Sequence, residues 1–409
     1  MFTVINYFSQ RKSQTVFFVL IFGSLCLNAQ IGTLQSGNYT FKVPEAYLQE
    51  SEDIPAFWIS TVDEVAEFLY QQVRKGQIEV IGKSAGGRPV RAVVYGNARQ
   101  GKGTTTFSGS LGFRNVGAYR ARDHEKTVYW GMAGVHGFEL EGIVGMVNLI
   151  SVLETGKDLR GKTWPEITEL MAKIDRLILI PMVNPDGRAR VPLRMELYQG
   201  TDYTVHEYLN TGGHPDGKVI GWPRIKEFIP LDFGKPVFPG GYPNDAGVNI
   251  MHDDFMGKKQ PETQALFDLA ERERPDLIIN MHTGATFMKL MRPFCESVLN
   301  PVFDSFYRYI LRRLTIENLQ KTKDIEKETD PGKLADGDYN LDTALNLHCG
   351  ALSICVESPS HSFSGKTSEG NAAVHTPDML LDAQLICHQE AMRFLAETGG
   401  RSKWTPGRK

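Results

Sequence analysis

The segment His136-Gly137-Phe138-Glu139 sets an imidazole and a carboxylate three positions apart, directly after the apolar run 128–133. A strand ending there delivers both groups to its C-terminal edge, where open α/β sheets gather their ligands. Imidazole nitrogen and carboxylate oxygen are donors that Zn2+ accepts, and a catalytic zinc needs a third protein ligand and one open position. His282 is the natural third, since it closes the apolar run 277–281 at another strand end, 143 positions after Glu139. Glu357 follows the β-rich run 351–356 and precedes Ser358-Pro359, so it faces the same edge from a third strand end. A carboxylate beside a metal, with burial drawing its pKa toward neutrality, suits a general base that later acts as acid. Taken singly, the His-Glu spacing reads equally as a satisfied histidine beside a surface ion pair, and Glu357 as an exposed carboxylate. Taken together they predict a hydrolytic site with one zinc ion per chain.

The elements that must position these residues are legible upstream and downstream. Asp63 precedes Val65, Phe68, Leu69 and Val73, the spacing of an amphipathic helix starting near Thr61. Residues 78–84 and 90–95 are β-rich and flank Ala85-Gly86-Gly87-Arg88, which predicts a hairpin at a sheet edge. From Thr127 onward apolar runs at 128–133, 177–183 and 277–281 alternate with helical patterns at 142–153 and 263–273, followed by the run 351–356 and a last helix near 380–397. That alternation predicts an α/β fold with a mostly parallel sheet covered on both faces. Residues 191–246 are rich in Gly, Pro, Tyr and Trp with little periodicity, and a loop that long inside a compact domain is usually functional. The chain therefore divides into residues 1–29, an extension over 30–60, a catalytic domain over 61–398 carrying the 191–246 insertion near its site, and a polar tail over 399–409.

With 409 residues, 41% of them hydrophobic and 10% aromatic, the chain buries a large core. Arg11 and Lys12, the apolar run 16–27 and Asn28-Ala29-Gln30 form a secretory signal pattern with cleavage after Ala29, which predicts a secreted or periplasmic protein. The run is too short to span a bilayer, Cys26 follows Leu25 rather than a small residue, and stable membrane insertion is not expected. Removing residues 1–29 takes away two positive charges and moves the formal charge from −3 to −5, which argues against nucleic acid as the main partner. Cys295, Cys349, Cys355 and Cys387 then remain, an even number that suits export but is too sparse for a disulfide scaffold, so pairing and simple burial both stay open.

Over roughly residues 81–397 these motifs resemble the zinc carboxypeptidase family related to pancreatic carboxypeptidase, with the chain as a divergent, secreted member of bacterial type. Residues 82–89 look like that family's early hairpin, Gly134-Val135-His136-Gly137-Phe138-Glu139 like its first zinc motif, and Asn184-Pro185-Asp186-Gly187 like its turn. Gln260-Pro261-Glu262-Thr263 resembles the start of the helix before the third ligand, and Asn280-Met281-His282-Thr283 resembles the third-ligand segment. Glu357 stands where the family has its catalytic glutamate. The resemblance implies a three-layer α/β/α fold with a mixed sheet of about eight strands, and hydrolysis by water that zinc polarises and Glu357 deprotonates. It also implies an arginine that stabilises the oxyanion. Arg188, Arg190 and Arg194 are the candidates; Arg194, ten positions after Asn184, matches the spacing of the family's cytosolic branch, against the plain reading of three solvated loop charges. Tyr339 is a candidate for the mobile tyrosine that lines the site, or an ordinary surface tyrosine.

The chain departs from the family where an Asn-Arg pair binds the substrate's terminal carboxylate. Here that pair reads Met251-His252. His252 offers one hydrogen bond and lacks the arginine fork, so recognition of a free C-terminus does not follow automatically, with Arg292 or Lys289 as substitutes from another loop. Asn249 stands in place of an aspartate behind the first zinc histidine, where its amide oxygen still accepts from the imidazole. His348 and His361 are read as structural or substrate-contacting. The leading expectation is a zinc metallopeptidase acting at or near the C-terminus of a peptide or peptide-like substrate. Two alternatives are a zinc amidase or deacylase on the same scaffold and a non-catalytic peptide- or glycan-binding protein.

Overall fold

A computed structural model describes residues 30–50, 52–98, 107–112, 114, 126–226, 230–235, 237–285, 288–295, 297–316, 339–366 and 371–404. The signal pattern, Asp336-Gly337-Asp338 and residues 405–409 lie outside the described residues. The strands are β1 (Ile31–Ser36), β2 (Tyr39–Pro44), β3 (Gln77–Lys83), β4 (Pro89–Gly96), β5 (Val128–Ala133), β6 (Arg176–Ile180), β7 (Leu277–Ala285), β8 (Lys289–Leu290), β9 (Leu352–Pro359), β10 (Ser364–Lys366) and β11 (Ala372–Val374). The helices are α1 (Val62–Gln72), α2 (Phe107–Gly112), α3 (Leu140–Thr155), α4 (Pro165–Met171), α5 (Pro185–Arg190), α6 (Thr204–Thr211), α7 (Pro261–Glu273), α8 (Asn300–Ile316), α9 (Leu341–Cys349), α10 (Pro377–Thr398) and α11 (Arg401–Trp404).

Seven strands form the main sheet in the order β3-β4-β6-β5-β7-β9-β8. The centre, β6-β5-β7-β9, is parallel, while β3-β4, β4-β6 and β8-β9 pair antiparallel. All six residues of β5 are buried, because alternate side chains enter two separate cores. Tyr129, Leu177, Leu179, Leu277 and Ile279 pack with α3, α8 and α10 on one face. Val128, Trp130, Ile178, Ile180 and Ile278 pack with α7 and α9 on the other. This is the expected three-layer arrangement, with seven strands among the described residues rather than about eight.

Local chemistry sets the element ends. Thr61 caps α1 by a reciprocal pair with Glu64, and Val65, Phe68 and Leu69 on its inner face are buried. The hairpin β3-β4 is an edge feature, as its composition predicts. β6 stops at Ile180 because Pro181 has no amide hydrogen for the ladder. β7 and β9 run further than the apolar runs suggest, so His282 and Glu357 lie inside paired strands, in register with each other, rather than at strand ends. The N-terminal hairpin β1-β2 sends Phe41 against Phe233 and Phe238 of the 191–246 insertion, which itself contains α6. Residues 399–404 are not a tail: Arg401 is fully buried, donating to Asp276 and to the Arg274 and Cys349 carbonyls. Cys295, Cys349, Cys355 and Cys387 form no disulfide among the described residues. No helix among the described residues is long and apolar enough to cross a membrane.

His388, fully buried on α10, contacts the Tyr129 hydroxyl through Nδ1 at 2.7 Å. Burial pushes its pKa down from 6.5 to about 4. Between these values the unfolded chain takes up a proton that the folded chain refuses, so stability falls as pH drops through this window and is unaffected by His388 above it. At about 1.4 kcal/mol per pKa unit the loss reaches about 3 kcal/mol. Denaturant titrations of wild type and His388→Gln at pH 7 and pH 4 are expected to show that much narrower a pH loss in the variant.

Candidate metal centre

His136 and Glu139 occupy the turn between β5 and α3, with Glu139 at the N-terminal cap of α3. Gly137 permits this turn: a Cβ there would lie 2.1 Å from the Arg188 backbone nitrogen, and its N–H donates to the Gly241 carbonyl at 2.8 Å. The neighbouring strand β7 brings His282, with Met281 in register beside Ala133. The next strand, β9, brings Glu357 opposite His282. Two motifs that are far apart in sequence brace this edge. Asp186 of α5 is fully buried and accepts from Ser84 Oγ at 2.5 Å, the Gly86 N–H at 2.7 Å and Arg88 Nη1 at 2.7 Å, so the hairpin turn locks onto the Asn184-Pro185-Asp186-Gly187 turn.

The donor atoms of His136, Glu139 and His282 lie within 4.8 Å of one another and form a group able to hold a metal. His136 Nδ1 is 2.7 Å from Glu139 Oε1, and His282 Nδ1 is 2.8 Å from Oε2. The two Nδ1 atoms are 3.3 Å apart. Asn249 Oδ1 accepts the Met251 N–H at 3.0 Å, which fixes it as the oxygen. The 3.1 Å contact with His136 Nε2 is therefore a donation by the ring, leaving Nδ1 of the neutral imidazole a lone pair. Thr283 N–H and Asn210 Nδ2 donate to the Glu139 oxygens, each at 3.3 Å. Burial opposes charge on Glu139, yet His136 and His282 outweigh it and hold the carboxyl well below its usual range. On His282 burial is likewise outweighed, by Glu139, Glu357 and Asp342, and the pKa rises to about 9. On His136 burial prevails and the pKa falls. More lone pairs than protons converge on one buried point, and a divalent cation matches that donor set.

Glu357 is half-buried. Burial first, and then the Glu139 carboxylate, raise its pKa to about 7 against the pull of His282 and Lys289. Cys355 Sγ lies 4.0 Å from Glu357 Oε1. The 191–246 insertion closes the site from the other side. Tyr242 stacks flat on His136, with centroids 3.6 Å apart and planes 6° from parallel. Glu196 binds His206 Nδ1 at 3.0 Å and the Ser360 hydroxyl, tying the insertion to the segment after β9. Asn210, Tyr242 and Glu196 had no sequence spacing to betray them, since Glu139, His136 and Ser360 lie 71, 106 and 164 positions away, and the 10-residue spacing of Glu196 and His206 matches no motif.

The other expected site residues fall into different surroundings. Arg188 is spent on the Ser60, Val191 and Leu193 carbonyls, and Arg190 on the Gly240 and Pro243 carbonyls and Asp245, both fully buried. Arg194 pairs with Glu64 of α1 at 2.5 Å, while its carbonyl accepts from Trp58 and Ser60. Arg188 and Arg190 are thus not solvated loop charges, while the Arg194 side chain is 44% exposed. Met251 is buried against Asn280, and His252 is half-buried at the end of a short 3-10 turn. Tyr339 is 45% exposed, its ring 6.3 Å from Phe255. Arg292 pairs with Asp304, and exposed Lys289 stands in register opposite Glu357. His348 meets the Phe267 carbonyl, and His361 bridges Glu52 and the His375 carbonyl.

The parallel sheet and the His-Glu-His group at its edge define an α/β metallohydrolase. The chain belongs to the zinc carboxypeptidase family, whose sequence profile matches residues 71–342, and is a metallocarboxypeptidase-type hydrolase. Its fold is similar to that of a metallo-carboxypeptidase from Burkholderia cenocepacia, at 13% identity over 83% of this chain and 70% of that one, with a TM-score of 0.50. A metallo-carboxypeptidase from Pseudomonas aeruginosa matches at 14% identity, over 90% and 80% of the two chains, with a TM-score of 0.49. Carboxypeptidase A from Helicoverpa armigera matches at 14% identity, over 86% and 78%, with a TM-score of 0.45. No curated protein matches the chain.

His136→Ala is expected to purify without stoichiometric zinc by elemental analysis. Asn249→Ala is expected to keep the ion but bind it about 10- to 100-fold more weakly in a chelator competition.

Proposed function

We propose that the chain is an exported zinc metallopeptidase that hydrolyses a peptide bond at or near the C-terminus of a peptide or peptide-like substrate. His136, Glu139 and His282 hold the zinc in this reading, and Glu357 serves as general base and then acid. The carrying observation is the register pair His282–Glu357, which sets a carboxylate beside the metal group at the sheet edge. Bound zinc would supply Lewis-acid polarisation. Glu357 accepts the proton of the attacking water as its oxygen adds to the carbonyl carbon, and returns that proton to the nitrogen as the C–N bond breaks. Asn249 keeps the His136 ring in the tautomer that presents Nδ1. Export is supported by the charged and apolar pattern of residues 1–29.

The burial of Met251 favours a second reading. Where the family's pattern places a polar pair for the terminal carboxylate, this chain turns one side chain into its core and keeps only His252 at the surface, which suits a substrate without a free carboxylate. That reading is an amidase or deacylase using the same Glu357 chemistry.

Glu357→Gln is expected to retain one zinc per chain while turnover falls about 10³-fold. Mass spectrometry of a peptide library with free and amidated C-termini separates the two readings: loss of one residue from free termini alone supports the carboxypeptidase, and equal cleavage of blocked peptides supports the amidase.

A further inference from the structure

The 191–246 insertion places one unspent polar group against a metal-binding ring. The Tyr242 N–H donates to the Asn210 carbonyl at 2.9 Å and its carbonyl accepts from Asn184 Nδ2 at 3.0 Å. Asn184 is itself fixed as the cap of α5, accepting the Gly187 N–H at 2.9 Å. The backbone is thus pinned at both ends, and the ring lies flat on His136 at 3.6 Å. A ring so placed keeps its hydroxyl within a ring's width of the imidazole. Among the described residues that hydroxyl has no hydrogen-bond partner, and the side chain is half-buried rather than sealed. His136 shares the metal group with Glu139 and His282, and Glu357 stands in register with His282, so the ring stacks on one wall of the gap between the metal group and Glu357.

That gap has need of a donor. The reaction proposed above makes the carbonyl oxygen of the scissile bond negative beside two carboxylates. The three arginines of the expected oxyanion segment are committed elsewhere: Arg188 and Arg190 to buried carbonyls, and Arg194 to Glu64. A phenol is a neutral donor at any pH the protein meets, and it is rigidly held here. We propose that the Tyr242 hydroxyl donates a hydrogen bond to the substrate carbonyl oxygen as its charge develops, while the Tyr242 ring holds His136 in its metal-binding orientation. The first half rests on the metallopeptidase reading; the second rests on the stacking geometry alone.

The test compares Tyr242→Phe and Tyr242→Leu with wild type, as full-length protein loaded with zinc or with cobalt(II). Tyr242→Phe keeps the ring and is expected to lose about 100-fold in kcat with KM within about threefold, while its zinc affinity and cobalt visible spectrum stay those of wild type. Tyr242→Leu is expected in addition to bind zinc more weakly and to alter the cobalt spectrum. A Tyr242→Phe protein with kcat within about twofold of wild type overturns the hydroxyl's role. A Tyr242→Leu protein with unchanged zinc affinity and cobalt spectrum overturns the ring's role. A wild type that cleaves none of the peptides removes the functional reading and the hydroxyl's role together, whereas an active wild type beside an equally active Tyr242→Phe removes the hydroxyl's role alone.

Discussion

Two imidazole nitrogens 3.3 Å apart, each within 2.8 Å of an oxygen of one buried carboxylate, form a cluster that a folded protein does not tolerate without positive charge at its centre. Protons can supply part of it, which is why His282 holds its proton so tightly and Glu139 gives its up so readily. Only one proton fits between two nitrogens, and Asn249 has already claimed the Nε2–H of His136. A divalent cation satisfies all the donors at once. The rest of the architecture is arranged so that they cannot move apart.

Three neighbouring parallel strands provide that rigidity. β5, β7 and β9 deliver His136 with Glu139, His282 and Glu357 to one edge, and the ladder between them fixes lateral spacing to that of a sheet. Around the edge, secondary contacts replace freedom with hydrogen bonds. Asp186 clamps the hairpin turn, Gly137 admits α5, and α6 brings Asn210 onto Glu139. The insertion is thus part of the site's wall, and the N-terminal hairpin in turn covers the insertion through Phe41. The same ladder fixes the Glu357 backbone opposite His282, so its side chain starts from a point beside the metal group.

The sheet was legible because its strands are buried on both faces and read as apolar runs between amphipathic helices. The metal group was legible because two of its members share a turn and the third directly follows an apolar run. What the runs understated was strand length. Polar residues at 282–285 and 357–359 end an apolar pattern but not a ladder, whose hydrogen bonds are indifferent to side chains, so His282 and Glu357 sit inside the sheet. The insertion was illegible for another reason: Asn210, Tyr242 and Glu196 act through partners distant in sequence, and no local period marks them. Arg194 lies in surroundings that its spacing does not announce. Its distance from Asn184 follows the family, but Glu64 and the Trp58 and Ser60 donors hold it in a local network. Arg401 shows the same from the other side, a charged residue beyond the last long helix that ends fully buried because Asp276 and two carbonyls receive it.

The central claim is that a single zinc ion occupies the point where the His136, Glu139 and His282 donors meet. Anomalous diffraction from crystals of the purified protein, collected above and below the zinc absorption edge, tests it most directly. One anomalous peak per chain is expected, bonded to Nδ1 of His136, Nδ1 of His282 and the Glu139 carboxylate, with Glu357 beside it and not bonded to it. A well-ordered site with no peak in zinc-supplemented protein, or a peak held by Nε2 of either histidine, would contradict it.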